Sequence, residues 1–305
     1  MKIAITGGTG FVGSRLVAKL NEKKETILIF TRNKERTQKM FPNSAFPTLE
    51  IVSYTPKKSG DWQEKIAGCD AVVNLAGEPL AEGRWTSDRK QEIVLSRQIG
   101  TQKIVEAIAK ADPKPQVLIN ASAIGYYGTS ETQIFAENSP SGDDFLAEVC
   151  QKWEAEAEKV KENNVRLVIL RLGIVLGNGG AIAKMITPFK LFMGGSIGSG
   201  KQWFSWIHQE DIVNLILEAI AHPEIAGVYN ATAPNPVRME EFCHVLGEVL
   251  HRPSWLPVPS FAIEAILGDG AIVVLEGQNV QPKAVEALGF NYQYPTVKSA
   301  LQEIL

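Results

Sequence analysis

Glycines at 7, 10 and 13 stand between an apolar run, "KIAIT", and an amphipathic one, "SRLVAKLNEK", and this arrangement leaves the chain few folds. Glycine costs conformational entropy wherever it sits, so three of them at one strand-to-helix turn mark a place where something must come close. Gly7 permits the tight bend, Gly10 lets the backbone approach a pyrophosphate, and Gly13 lets the helix pack on the strand. With Thr9, Phe11 and Val12 completing the turn, the helix start offers unpaired N–H groups to an anion. The spacing reads as a dinucleotide site. The alternative is a tight strand-to-helix turn with no ligand.

The rest of the chain repeats the alternation. "ETILIFTR" precedes "NKERTQKMF", "DAVVNLAG" precedes a long helical stretch ending "IVEAIAKA", and "QVLINASA" precedes "FLAEVCQKWEAEAEKVKENN"; "VRLVILRLGIVLG" reads as one further strand. Parallel strands need crossovers of helical size, so the order predicts an α/β fold, a Rossmann-type doubly wound parallel sheet over residues 1–176. From Gly177 the texture turns glycine-rich and aromatic, and "DIVNLILEAIAHPEIAGVYNAT" returns to the sheet over about 208–232. Residues 177–207 and 233–305 form the expected smaller, mainly helical cap.

The second strand indicates which dinucleotide. An acidic residue at its end would hydrogen-bond an adenine ribose, whereas this strand ends in Thr31-Arg32 with Arg36 one turn on. A guanidinium suits a ribose 2′-phosphate, so NADP(H) is expected over NAD(H). The competing reading is that Arg32 merely ends a solvated strand.

Composition narrows the partners. A net charge of −3 without a Lys/Arg-rich run offers no footprint for nucleic acid or an anionic membrane surface. No apolar run approaches the roughly 20 residues of a membrane span, and the chain enters a strand without a leader-like segment. The expected location is the cytoplasm or an organelle interior such as a plastid. The 3 cysteines and 4 histidines show no ligand spacing, so no metal is expected. A homodimer through the long helices is left open, because "SDRKQEIVLSRQIGTQKIVEAIAKA" is charged enough to stay exposed.

Together the glycine triplet, "NLAG" at 74–77 and "RQIGTQKIVEA" resemble the extended short-chain dehydrogenase/reductase superfamily. More narrowly, "NLAGEPL", "ASAIGYYG", "VCQKWE", "GSGKQWFSWIH" and "VLEGQNVQPKAVEALGFNYQYP" resemble the epimerase-family subgroup that includes SulA-like proteins of bacteria and plastids. The resemblance spans the whole chain. It implies an NADP-binding Rossmann domain with Leu75, Ala76, Gly77 and Glu78 at the cofactor, a capped substrate cleft, and a link to cell or plastid division.

The chemistry-bearing positions depart from that family. Its Tyr-x-x-x-Lys pair is replaced by Cys150 and Glu154, its Ser/Thr slot by Ala123 with Ser122 upstream, and the asparagine of "N-x-x-G-T" by Arg97. Phe204 stands where nucleotide-sugar enzymes carry an arginine. Ser122, Tyr126 and Tyr127 follow a strand at the sheet's carboxyl edge and are the candidate catalytic hydroxyls, or else the tyrosines only pack the cleft. Trp85, Arg97, Trp206 and His208 are the candidate substrate contacts, a small molecule being the expected partner as substrate or effector. Two functions remain open: an NADP(H)-dependent oxidoreductase or epimerase with unusual acid/base residues, and a nicotinamide-binding regulator without catalysis.

Overall fold

The computed structural model describes residues 1–80 and 83–305. Val/Ile/Leu-rich runs form seven strands: β1 (Lys2–Thr6), β2 (Thr26–Thr31), β3 (Leu49–Ser53), β4 (Ala71–Asn74), β5 (Val117–Ala123), β6 (Arg166–Leu172) and β7 (Gly227–Ala231). They make one parallel sheet in the order β7-β6-β5-β4-β1-β2-β3. Strand order reverses between β1 and β4, so a crevice opens at the carboxyl ends there, where ligands of doubly wound sheets sit.

Helices α1 (Phe11–Glu22), α2 (Lys34–Met40), α3 (Ser87–Lys110), α4 (Phe145–Glu158), α5 (Gly180–Lys190), α6 (Gln209–Ala221) and α7 (Met239–Leu250) connect and flank the strands. Side chains alternate across each strand, and in the central strands both sets are buried. Ile3, Ile5, Ile27 and Ile29 pack on one face with Leu16 and Leu20 of α1 and Ile212 and Ile216 of α6. Ala4, Leu28, Phe30 and Leu118 pack on the other with Ile104 and Ile108 of α3. A third core joins Phe189 of α5, Phe242 and Leu246 of α7 and Leu301 of the terminal helix around Trp206. The molecule is thus a Rossmann-type sheet with a mainly helical C-terminal region.

Two local features differ from the sequence reading. "LEIVS" forms the edge strand β3, which the reading passed over; its half-exposed mixture of residues carries little apolar signal. "VRLVILRLGIVLG" is not one strand, because the path breaks at Gly173, where a Cβ would stand 2.8 Å from the Ser205 carbonyl oxygen. Beyond it, Ile174–Leu176 leave the sheet and pair with Trp206–His208.

Beneath the crevice a buried polar chain fixes the strands. Thr6 Oγ1 donates to Asn74 Oδ1 at 2.6 Å, and Asn74 Nδ2 donates to Asn120 Oδ1 at 2.7 Å and Thr101 Oγ1 at 2.9 Å. Each buried amide is satisfied, as a polar network in a core requires. Among the described residues no helix is long and apolar enough to cross a membrane, and no cluster of three His, Cys, Asp or Glu residues could hold a metal.

Candidate active site

The glycine turn builds one wall of a groove. Gly7 has φ +70°, and a Cβ there would lie 2.8 Å from the Leu75 carbonyl carbon, so both strain and crowding require glycine. A Cβ on Gly13 would come within 2.2 Å of Gly7 O, which is how closely α1 packs on the turn. Gly10 caps α1 without a side-chain acceptor, and no acidic residue lies in the first turn. The first N–H groups of the helix, and its positive dipole end, therefore remain available to an anion. Gly7, Thr9 and Gly10 face Leu75, Ala76, Gly77 and Glu78 across a groove of about 500 Å³.

The side chains of Phe11 and Val12 turn elsewhere. The Phe11 ring lies against the Gly177–Gly180 loop, where a Cβ on Gly177 would meet it at 2.9 Å, and its carbonyl accepts from Gln209 Nε2 at 2.6 Å. Val12 packs on the core between sheet, α1 and α6. The Glu78 carboxylate is taken by Arg89 Nη1 at 2.7 Å.

At the far end of the groove, Arg32 and Arg36 stand exposed beside Thr31, Thr37 and Tyr54. Neither guanidinium has a carboxylate partner among the described residues. Burial pushes the Tyr54 phenol up to about 12, with Arg32 pulling the other way. Tyr54 lay outside the sequence reading because β3, which delivers it, did too.

Leu75 lines both this groove and a neighbouring cavity of about 330 Å³ between β5, α4 and residues 272–278. Ser122 lies in its wall and donates to Glu154 Oε1 at 2.6 Å. Arg171 clamps the same carboxylate, Nε to Oε1 at 2.9 Å and Nη2 to Oε2 at 2.8 Å. Burial disfavours the Arg171 charge, but the hydrogen bonds and charge of Glu154 outweigh it and push its pKa up. Cys150 also lines the cavity, and burial pushes its thiol up to about 12. Burial thus disfavours the thiolate that a nucleophilic cysteine uses.

The candidate tyrosines point away from this cavity. Tyr127 is 3% exposed; its hydroxyl accepts from Arg171 Nη1 at 2.9 Å and donates to Asn230 Oδ1 at 2.6 Å. Burial raises its pKa, partly offset by Arg171. The Tyr126 ring is a platform for Arg171, whose Cζ stands 3.4 Å from its centroid.

Of the four candidate substrate contacts, only Arg97 reaches the cavity. It passes over Gly77, where a Cβ would come within 2.9 Å of Cζ, and stacks 5.1 Å from the Trp153 ring. Trp85 stands behind the wall: its indole donates to Leu80 O at 2.9 Å and packs edge-on against Phe145. Trp206, fully buried in the third core, donates to Asn235 O at 3.1 Å. His208 caps α6, with Nδ1 accepting from Glu210 N at 3.2 Å and Nε2 lying 2.9 Å from Glu303. Trp203 lines the cavity where Trp206 was expected.

Strand order, glycine turn and groove define a Rossmann-class α/β protein with a dinucleotide-type crevice. The chain belongs to the NAD dependent epimerase/dehydratase family, whose profile matches residues 3–232, and residues 258–304 match a domain of unknown function, DUF1731. It is 50% identical, over all of its length and 87% of the relative's, to the epimerase family protein SDR39U1 homolog, chloroplastic, of Arabidopsis thaliana. Epimerase family protein YfhF of Bacillus subtilis is 38% identical over all of this chain and 98% of its own. The crystal structure of human epimerase family protein SDR39U1 (isoform2) with NADPH superposes with a TM-score of 0.89 at 35% identity, covering 100% of this chain and 99% of that one.

Proposed function

We propose that this chain is an NADP(H)-dependent oxidoreductase or epimerase acting on a small polar molecule in the cavity beside the groove. The observation that carries the reading is continuity: through Leu75 the groove meets a cavity that holds Ser122 backed by Glu154 and Arg171. The glycine cradle and two guanidiniums without a carboxylate partner among the described residues fit a phosphorylated dinucleotide, with pyrophosphate over Gly7–Gly13 and the 2′-phosphate on Arg32 and Arg36. The NADPH named with the human relative supports the same assignment.

NADP(H), when bound, supplies or accepts a hydride at its nicotinamide ring. The chain moves the proton. Ser122 Oγ donates to Glu154, so its lone pairs can accept from a substrate carbinol while its own proton passes to the carboxylate. Reduction runs the same path backwards. Arg171 holds Glu154 in place with two hydrogen bonds.

A second reading, a nicotinamide-binding regulator, is favoured by Cys150 and Glu154 in the slots that hold tyrosine and lysine in catalytic relatives. One screen separates the two. NADPH consumption across aldehydes, ketones and oxo acids should reveal turnover that Ser122→Ala lowers about 100-fold or more, with NADPH affinity retained. Tight NADPH binding with no turnover across the panel supports the regulator.

A further inference from the structure

A cation in the cavity wall lacks a carboxylate partner among the described residues. Arg97 makes one hydrogen bond there, from Nη1 to Ile93 O at 3.2 Å, while Glu78, the acidic side chain beside it, is taken by Arg89. Trp153 is 5% exposed and offers Arg97 its ring face, its indole N–H being closed off from the cavity. Arg97 is half-buried, and a guanidinium partly withdrawn from water without a counter-charge is costly.

Nearby the chain treats a buried charge differently. Arg171 is given two bonds to Glu154 and one to Tyr127. Arg97 receives no such partner from the described residues, so its counter-anion arrives with a ligand. Leu75, Leu80, Val149 and Ile174 make much of the remaining wall apolar, and about 330 Å³ is small for a ligand pocket.

We propose that the cavity takes a small carboxylic acid with an apolar body, its carboxylate held by the Arg97 guanidinium. As substrate it would be an oxo or hydroxy acid, and that role rests on the reading of the cavity as the site beside NADP(H). An oxyanion for Arg97 could also come from the cofactor's own phosphates. The experiment therefore measures both.

Calorimetry on the full chain loaded with NADP⁺ would compare 3-phenylpropionate with its neutral amide, and phenylpyruvate would be tested for turnover with NADPH. The acid should bind at least about tenfold more tightly than the amide, since charge-assisted hydrogen bonds are at stake. Arg97→Met should weaken the acid roughly 10- to 100-fold and Arg97→Lys less. NADPH affinity should stay within about twofold in both variants. The melting temperature of ligand-free Arg97→Met should equal or exceed the parent's, because a half-buried cation without a carboxylate partner among the described residues has gone; this separates lost binding from lost folding.

Equal binding of acid and amide overturns the proposal, as does no acid binding in the millimolar range by protein that binds NADPH. Loss of NADPH affinity in Arg97→Met also overturns it, assigning Arg97 to the cofactor's phosphates. Acid binding retained by protein that binds no NADPH counts against the functional reading alone and leaves the carboxylate site standing.

Discussion

Arg171 on β6 grips the Glu154 carboxylate of α4 with two bonds of 2.9 and 2.8 Å, and Ser122 donates to the same carboxylate. One buried anion thus ties α4 to two strands of the sheet.

Breaking that pair from one side should be severe. Glu154→Leu leaves Arg171 buried and uncompensated, with an expected loss of about 3–5 kcal/mol in urea unfolding. Adding Arg171→Met should restore part of it. A double variant no more stable than the single one would show that the charge pair is not the source of the loss.

Tyr127→Phe and Ser122→Ala should separate stability from chemistry. The first strips a buried hydroxyl from Arg171 and Asn230 and should cost about 1–3 kcal/mol, with residual turnover in proportion to folded protein. The second should lose turnover and keep its fold. A Tyr127→Phe variant that folds fully and is inactive would return the tyrosine to the acid/base role.

Two glycines of the family motifs should respond in opposite ways. Gly13→Ala drives a Cβ to 2.2 Å from a backbone oxygen and should cost at least about 3 kcal/mol along with NADPH binding. Gly100 lies inside α3, where an added methyl would meet nothing within 4 Å, and Gly100→Ala should gain about 0.5–1 kcal/mol. Thermal denaturation of both variants reads the contrast.

Stability should fall in mild acid through His208. Burial depresses its folded pKa below the unfolded value of about 6.5, against the pull of Glu303, so in the window just below 6.5 the unfolded state binds more protons. The contribution is intact above that value and declines as pH drops towards the depressed one. His208→Gln should flatten this part of the stability–pH curve, and an unchanged slope would exclude His208 as its source.

Much of the sheet was legible because its signals are local. The glycine turn and the apolar runs of β1, β2, β4 and β5 each announce themselves within a few residues. β3 did not, since an edge strand with a half-exposed face has no continuous apolar run. The site was legible in part. Ser122 could be read from its place at a strand end, but the fate of Tyr127 is set by Arg171, 44 residues on, and Asn230, 103 residues on. Trp203 and Trp206 look alike in sequence, yet only the first lines the cavity; the second enters the third core. Arg97 reaches the cavity because Gly77, on the loop that follows β4, offers no side chain to block it.

The groove should select a 2′-phosphorylated dinucleotide. Fluorescence titration with NADPH and NADH, repeated on Arg32→Asp, measures that selectivity. The expected result is preference for NADPH in the parent and a loss of at least about tenfold for NADPH alone in the variant. Equal affinity of the parent for both cofactors, or equal losses in the variant, would contradict it.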